Sequence, residues 1–146
     1  MPDNRASSAH SRRILAQLAA PARLDTLGPI AARFVYSLRL IALHQRARRD
    51  PVPELASRLG SIDVAAKSLA LSQTITATWP ENIHVSRFCC CGMTHDEATI
   101  GAMIEAALER NRAAFEAVAE GLIRPNRIEA LWEATGNLVI AEMSAA

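Results

Sequence analysis

Apolar residues recur at three- and four-residue spacing over most of this chain, the period of helices that bury one face. Ile30, Phe34, Leu38, Ile41 and Leu43, with Ala42, form one such stripe after Pro29, a residue suited to a first helical turn because its missing N–H would have no partner there. The stripe predicts a helix from Pro29 to about Arg48, interrupted on its apolar side by Arg33 and Arg39. Asp50-Pro51-Val52-Pro53 stops it and starts a short helix, in which Leu55 and Leu59 pair and Gly60 closes the end. Ser61 or Asp63 then caps a third helix to about Ala77. Its apolar residues lie on most sides, which predicts a central position, and Pro80 ends it.

From Ile83 to Phe88 apolar and polar residues alternate, an extended pattern with no partner strand in view. Thr94-His95-Asp96-Glu97 has the form of a capping box, in which the Thr hydroxyl and the Glu carboxylate each satisfy a free backbone donor. The apolar series Ile100, Met103, Ile104, Ala107, Leu108, Phe115 and Val118 predicts one helix from there to Gly121, the longest of the chain. Pro125-Asn126 resets the chain, and Ile128, Leu131, Trp132, Leu138, Val139 and Ile140 support a last helix with a bend expected at Thr135-Gly136-Asn137. Upstream, Ile14, Leu15 and Leu18 suggest a short helix over 11–20. Residues 1–12 lack the apolar surface that would offset ordering, and a disordered tail is expected. The division is a tail over 1–12, one helical domain over 13–142 and a frayed tail over 143–146. The fold class is all-α, a compact bundle of four to six helices with a cysteine-containing loop before a long helix.

Composition narrows this picture. Half of the 146 residues are hydrophobic and only 4% aromatic, so a core of Leu, Ile, Val and Ala at close helix contacts is expected. No run reaches the ~20 apolar residues of a membrane span. The basic start of the chain is followed by too short an apolar stretch for a signal peptide. Three adjacent cysteines do not make the spaced framework of a secreted scaffold, and a cytoplasmic setting is expected. The overall charge of +1 hides a division: residues 1–49 carry nine arginines against Asp3 and Asp25, a net of +7, and the remainder carries −6. Either the basic helix pairs with the acidic ones, or Arg46, Arg48 and Arg49 form a basic surface for an acidic partner.

The chemistry on offer centres on Cys89-Cys90-Cys91. Thiolates are nucleophiles and soft metal ligands, and the positive end of the following helix stabilises them, most of all at Cys91. With His84 and His95 nearby, zinc held within a chain or shared between chains is one reading; a redox-active thiol is a second; small buried hydrophobes without chemistry are a third. No C-x-x-C knuckle is present. Glu105, Glu109, Arg112, Glu116 and Glu120 read as a solvated, ion-paired helix face rather than a metal site. Common nucleotide-binding and hydrolase motifs are missing. A helix-turn-helix through Gly60 would need a second helix far less apolar than 61–77, which disfavours a nucleic-acid partner.

From Phe34 to about Met103, the arginine-rich helix, the Asp50-Pro51 break and Cys89-Cys90-Cys91 before Met93-Thr94 and Glu97 resemble a family of small uncharacterised alphaproteobacterial helical proteins. The family signature is three cysteines, a proline, one residue, then Met-Thr and a helix start. Gly92 stands here for the proline and its successor, so the loop is one residue shorter. The resemblance implies a helical fold and no particular activity. The expected role is a small non-enzymatic interaction or regulatory protein, its partner a protein or a second copy of the chain, with metal or redox chemistry at the triplet as the alternative.

Overall fold

The computed structural model describes residues 22–146. The 11–20 helix and the 1–12 tail expected from sequence lie outside the described residues. A 3-10 turn over Leu24–Thr26 leads into six helices: α1 (Pro29–Arg46), α2 (Val52–Leu59), α3 (Ile62–Thr78), α4 (His95–Leu108), α5 (Arg112–Ala119) and α6 (Pro125–Ala145). Among the described residues there is no strand, and no helix is long and apolar enough to cross a membrane. The molecule is therefore an all-α bundle.

Local chemistry accounts for most boundaries. Pro29 opens α1, Pro53 lies in the first turn of α2, and Pro125 opens α6. Gly60, at φ 75°, closes α2 in the left-handed conformation that glycine tolerates best. The Ser61 hydroxyl accepts from the Val64 N–H at 3.2 Å and caps α3. At Thr94 both halves of the capping box are present: Glu97 N–H donates to Thr94 Oγ1 at 3.1 Å, and Thr94 N–H donates to Glu97 Oε1 at 2.9 Å.

Three expectations are corrected. The helix that starts at Thr94 stops at Leu108, and α5 is a separate element; the longest helix is α6, with 21 residues. The stop is a Schellman motif: Arg110 takes φ 54°, its N–H donates to Ala107 O, and Asn111 N–H donates to Ala106 O. Asn111 then caps α5 through Oδ1, which accepts from Ala114 N–H at 3.0 Å. An arginine where glycine usually marks this motif hid the break. Secondly, α3 buries a single stripe, Val64, Ala65, Ser68, Leu71, Ser72, Ile75 and Thr78, while Ile62 and several alanines remain exposed. The enclosed helix is α4, in which no residue from Glu97 to Leu108 is exposed and which packs against α1, α5 and α6. Finally, α6 passes unbroken through Thr135-Gly136-Asn137 and reaches Ala145, past the expected limit at 142. Near its end Glu142 is held to α1: its carboxylate takes Arg33 Nε at 2.8 Å and Nη2 at 3.0 Å, and the same Nη2 reaches Leu59 O.

The main core joins Phe34 and Leu38 of α1, Leu71 and Ile75 of α3, Ile100 and Ile104 of α4, Phe115 of α5 and Leu131 and Leu138 of α6. Gly101 lets α4 approach the chain before α1, since a Cβ there would lie 2.9 Å from Leu27 Cδ2. A second cluster, Leu40, Ile41, Leu55 and Ala65, seats α2. A third, Leu24, Val35 and Met93, underlies the cysteine loop.

Candidate functional site

The chain between α3 and α4 is extended, irregular and tied down at several points. Asp96, in the first turn of α4, accepts Trp79 Nε1–H at 3.3 Å and His84 N–H at 2.8 Å, and Thr94 Oγ1 donates to His84 O at 2.6 Å. A turn follows in which Cys90 N–H donates to Arg87 O. On the far side, Leu24 N–H donates to Cys91 O at 2.8 Å and Met93 N–H to Ala22 O at 2.7 Å, a short antiparallel bridge centred on Arg23 and Gly92.

Beneath the loop lies Arg39, 1% exposed, with Glu97 at 0%. Its Nε donates to Glu97 Oε2 at 2.7 Å and its Nη2 to Glu97 Oε1 at 3.1 Å, the two-pronged geometry that a guanidinium and a carboxylate share. Nη1 donates to Cys90 O at 2.7 Å and Nη2 also to Gly92 O at 2.9 Å. One guanidinium thus joins the first-turn carboxylate of α4 to two carbonyls of the cysteine loop. Burial pushes the Glu97 carboxyl up, but the Arg39 bonds and the Thr94 N–H outweigh it and hold the group below its ordinary value. The hydrogen bonds to Glu97 likewise outweigh burial at Arg39 and raise it.

Cys89, Cys90 and Cys91 are free and all exposed, which overturns the reading of the triplet as small buried hydrophobes. The backbone carries the loop's inward bonds, so the thiols are left at the surface. His84 and His95 are exposed as well, the former held by its backbone and the latter at the first position of α4. Among the described residues, no three His, Cys, Asp or Glu side chains are grouped to hold a metal ion, so His84 and His95 do not close a zinc site with the cysteines in this arrangement.

The charge division resolves in two ways. Arg33 and Arg39 of α1 pair with Glu142 and Glu97, and His44 pairs with Glu54. Arg46, Arg48 and Arg49 are exposed and make no ion pair among the described residues. The acidic run divides similarly: Arg112 pairs with Glu116 and Glu129, while Glu105 accepts Gly28 N–H at 2.7 Å. Sequence reasoning missed Arg39 and Asp96. An arginine inside an apolar stripe was the available signal, because a buried guanidinium requires partners. No protein-family model, curated protein or solved structure matches the chain.

Proposed function

We propose that this protein is a small non-enzymatic interaction or regulatory protein, and that the cysteine loop, with the arginines at the end of α1, is the face that engages a protein partner or a second copy of the chain. The brace formed by Arg39 between Glu97 and the Cys90 and Gly92 carbonyls carries this reading. Removing two charges from water costs several kcal/mol per ion before their attraction repays it. Here that arrangement fixes the backbone under three accessible side chains. Loops held on a rigid scaffold are the usual seat of recognition. Arg46, Arg48 and Arg49, which make no ion pair among the described residues, add a surface suited to an acidic partner. Reduced surface thiols fit a cytoplasmic setting, and the reading keeps the chain with the alphaproteobacterial helical proteins it resembles.

The test is the size of the complex formed by the full chain in native extract. The wild type is expected to run larger than the chain alone, and Cys89, Cys90 and Cys91 to Ser, or Arg46, Arg48 and Arg49 to Ser, to reduce it without changing helix content. A wild type that runs as a monomer in extract would overturn the reading. Metal or redox chemistry at the triplet is the second reading, favoured by the exposure of all three thiols. Elemental analysis with thiol titration tests it. Near-stoichiometric zinc, or fewer than three titratable thiols restored by a reductant, supports that chemistry; three freely titrating thiols without metal defeat it.

A further inference from the structure

Two hollows of about 390 Å³ and 330 Å³ lie along α1 and share Leu40, Arg58 and Phe88 as walls. Their α1 residues run from Pro29 through Tyr36 and Leu40 to His44, one stripe that follows the helix for about 23 Å at 1.5 Å per residue. The opposite wall is Leu55, Arg58 and Leu59 of α2. Phe88, next to the cysteines, stands between the two hollows, with Tyr36 against it edge-on at 5.3 Å and the Arg58 guanidinium 5.1 Å from its ring centre. Tyr36 is 41% exposed and Leu43 47% exposed, and with Leu40, Leu55 and Leu59 they supply much of the apolar lining.

The charge along this cleft is one-sided. Glu54, the carboxylate of the second hollow, is occupied by His44 and Arg58. Arg33 is occupied by Glu142. Arg46 lines a separate hollow on the other side of α1, but Arg49 lines the second hollow and has no ion pair among the described residues, and neither does Arg48 beside it. Arg48 holds φ 55°, and Arg49 N–H donates to His44 O at 2.8 Å, so the turn that carries these arginines is fixed to the end of α1. The cleft is thus apolar along Tyr36, Leu40 and Leu43, with its one carboxylate already paired and a cationic end at Arg49.

We propose that this cleft is the docking groove for an amphipathic helix of a protein partner, with its apolar residues against Tyr36, Leu40 and Leu43 and an acidic end over Arg49 and the adjoining Arg48. The proposal rests on the interaction reading above and names the chemistry of the partner. A trough that follows one helix suits apolar anchors at i, i+4 and i+7 on another. Arg48 and Arg49 select the acidic end and make encounter dependent on salt.

The probe is a displayed library of helical peptides of about four turns, selected on the full chain at about 0.1 M salt. Recovered peptides are expected to carry apolar residues at helical spacing and a net negative end. A synthetic copy of the best is expected to lose about tenfold in affinity with Leu43→Ser, and about tenfold with Arg49→Glu, because a seated anchor and a matched charge each carry roughly that much. Both positions are exposed, and circular dichroism checks that the variants fold. Recovery of no peptide, of basic or uncharged peptides, or of peptides indifferent to Leu43→Ser overturns the proposal. So does self-association of the chain that Leu43→Ser abolishes, which would assign the cleft to a second copy. If a native complex persists in Leu43→Ser and Arg49→Glu but is lost on replacing the cysteines, the groove proposal falls and the interaction reading stands.

Discussion

A guanidinium at 1% exposure must find acceptors for its donors, or desolvation costs more than packing returns. Arg39 does so with four bonds, two to Glu97 and one each to Cys90 O and Gly92 O. Arg39→Met keeps the helix and fills similar volume, but it strands a buried carboxylate and frees two loop carbonyls. The expected cost is about 3–5 kcal/mol, read from the urea midpoint. Adding Glu97→Gln removes the stranded charge, and the double variant is expected to cost clearly less than the sum of the singles. A single variant within about 0.5 kcal/mol of wild type would show that the brace contributes nothing.

At the scale of elements, two helix ends carry separable predictions. Thr94 Oγ1 accepts from Glu97 N–H and donates to His84 O, so one hydroxyl both starts α4 and ties the preceding chain to it. Thr94→Ala is expected to cost about 1 kcal/mol from the cap, with faster amide exchange over 83–91; Thr94→Ser should restore most of both. Unchanged stability and exchange would show that the Thr94 hydroxyl contributes neither to the helix start nor to the loop. The exit of α4 behaves oppositely. Arg110 occupies the left-handed position of a Schellman motif at φ 54°, where glycine avoids the Cβ penalty. Arg110→Gly is expected to stabilise the protein by about 0.5–1 kcal/mol in thermal or urea unfolding. Destabilisation would mean that the arginine side chain itself holds the α4–α5 turn.

Across the whole molecule, the bundle is closed by ion pairs that reach far along the chain, Arg39 to Glu97 and Arg33 to Glu142. The acid limb of stability follows from the first. Burial raises the Glu97 carboxyl, its hydrogen bonds lower it further than burial raises it, and the folded value lies below the unfolded one. A group depressed in this way contributes its full stability above the unfolded carboxylate value, about 4.3. That contribution is lost as pH falls through the lower folded value. Glu54, held low by His44 and Arg58 at the surface, acts in the same direction. Stability is therefore expected to fall on acidification below about pH 4.3, and Glu97→Gln to flatten that fall. An acid limb identical in both proteins would place the titrating groups elsewhere.

Helical spacing of apolar residues, the prolines at 29, 53 and 125, Gly60, Ser61 and the Thr94 box were enough to define the all-α class and the starts of α1, α2, α3, α4 and α6, because these signals act within one turn of the chain. The break at Arg110 escaped because its conformation is stabilised by backbone bonds to Ala106 and Ala107, whatever side chain is present. The cysteines stood out from the start as candidate chemistry, yet their exposure could not be read from residue type, which favours burial. That was decided by Arg39, 51 residues from Cys90, and by Leu24 and Met93, whose backbone N–H groups take the loop's inward positions. Among the described residues, the sequence by itself determined which segments coil and where each helix but α5 begins. Tertiary structure decided which arginines were spent inside and which were left over, because a charge finds its partner only when distant helices meet.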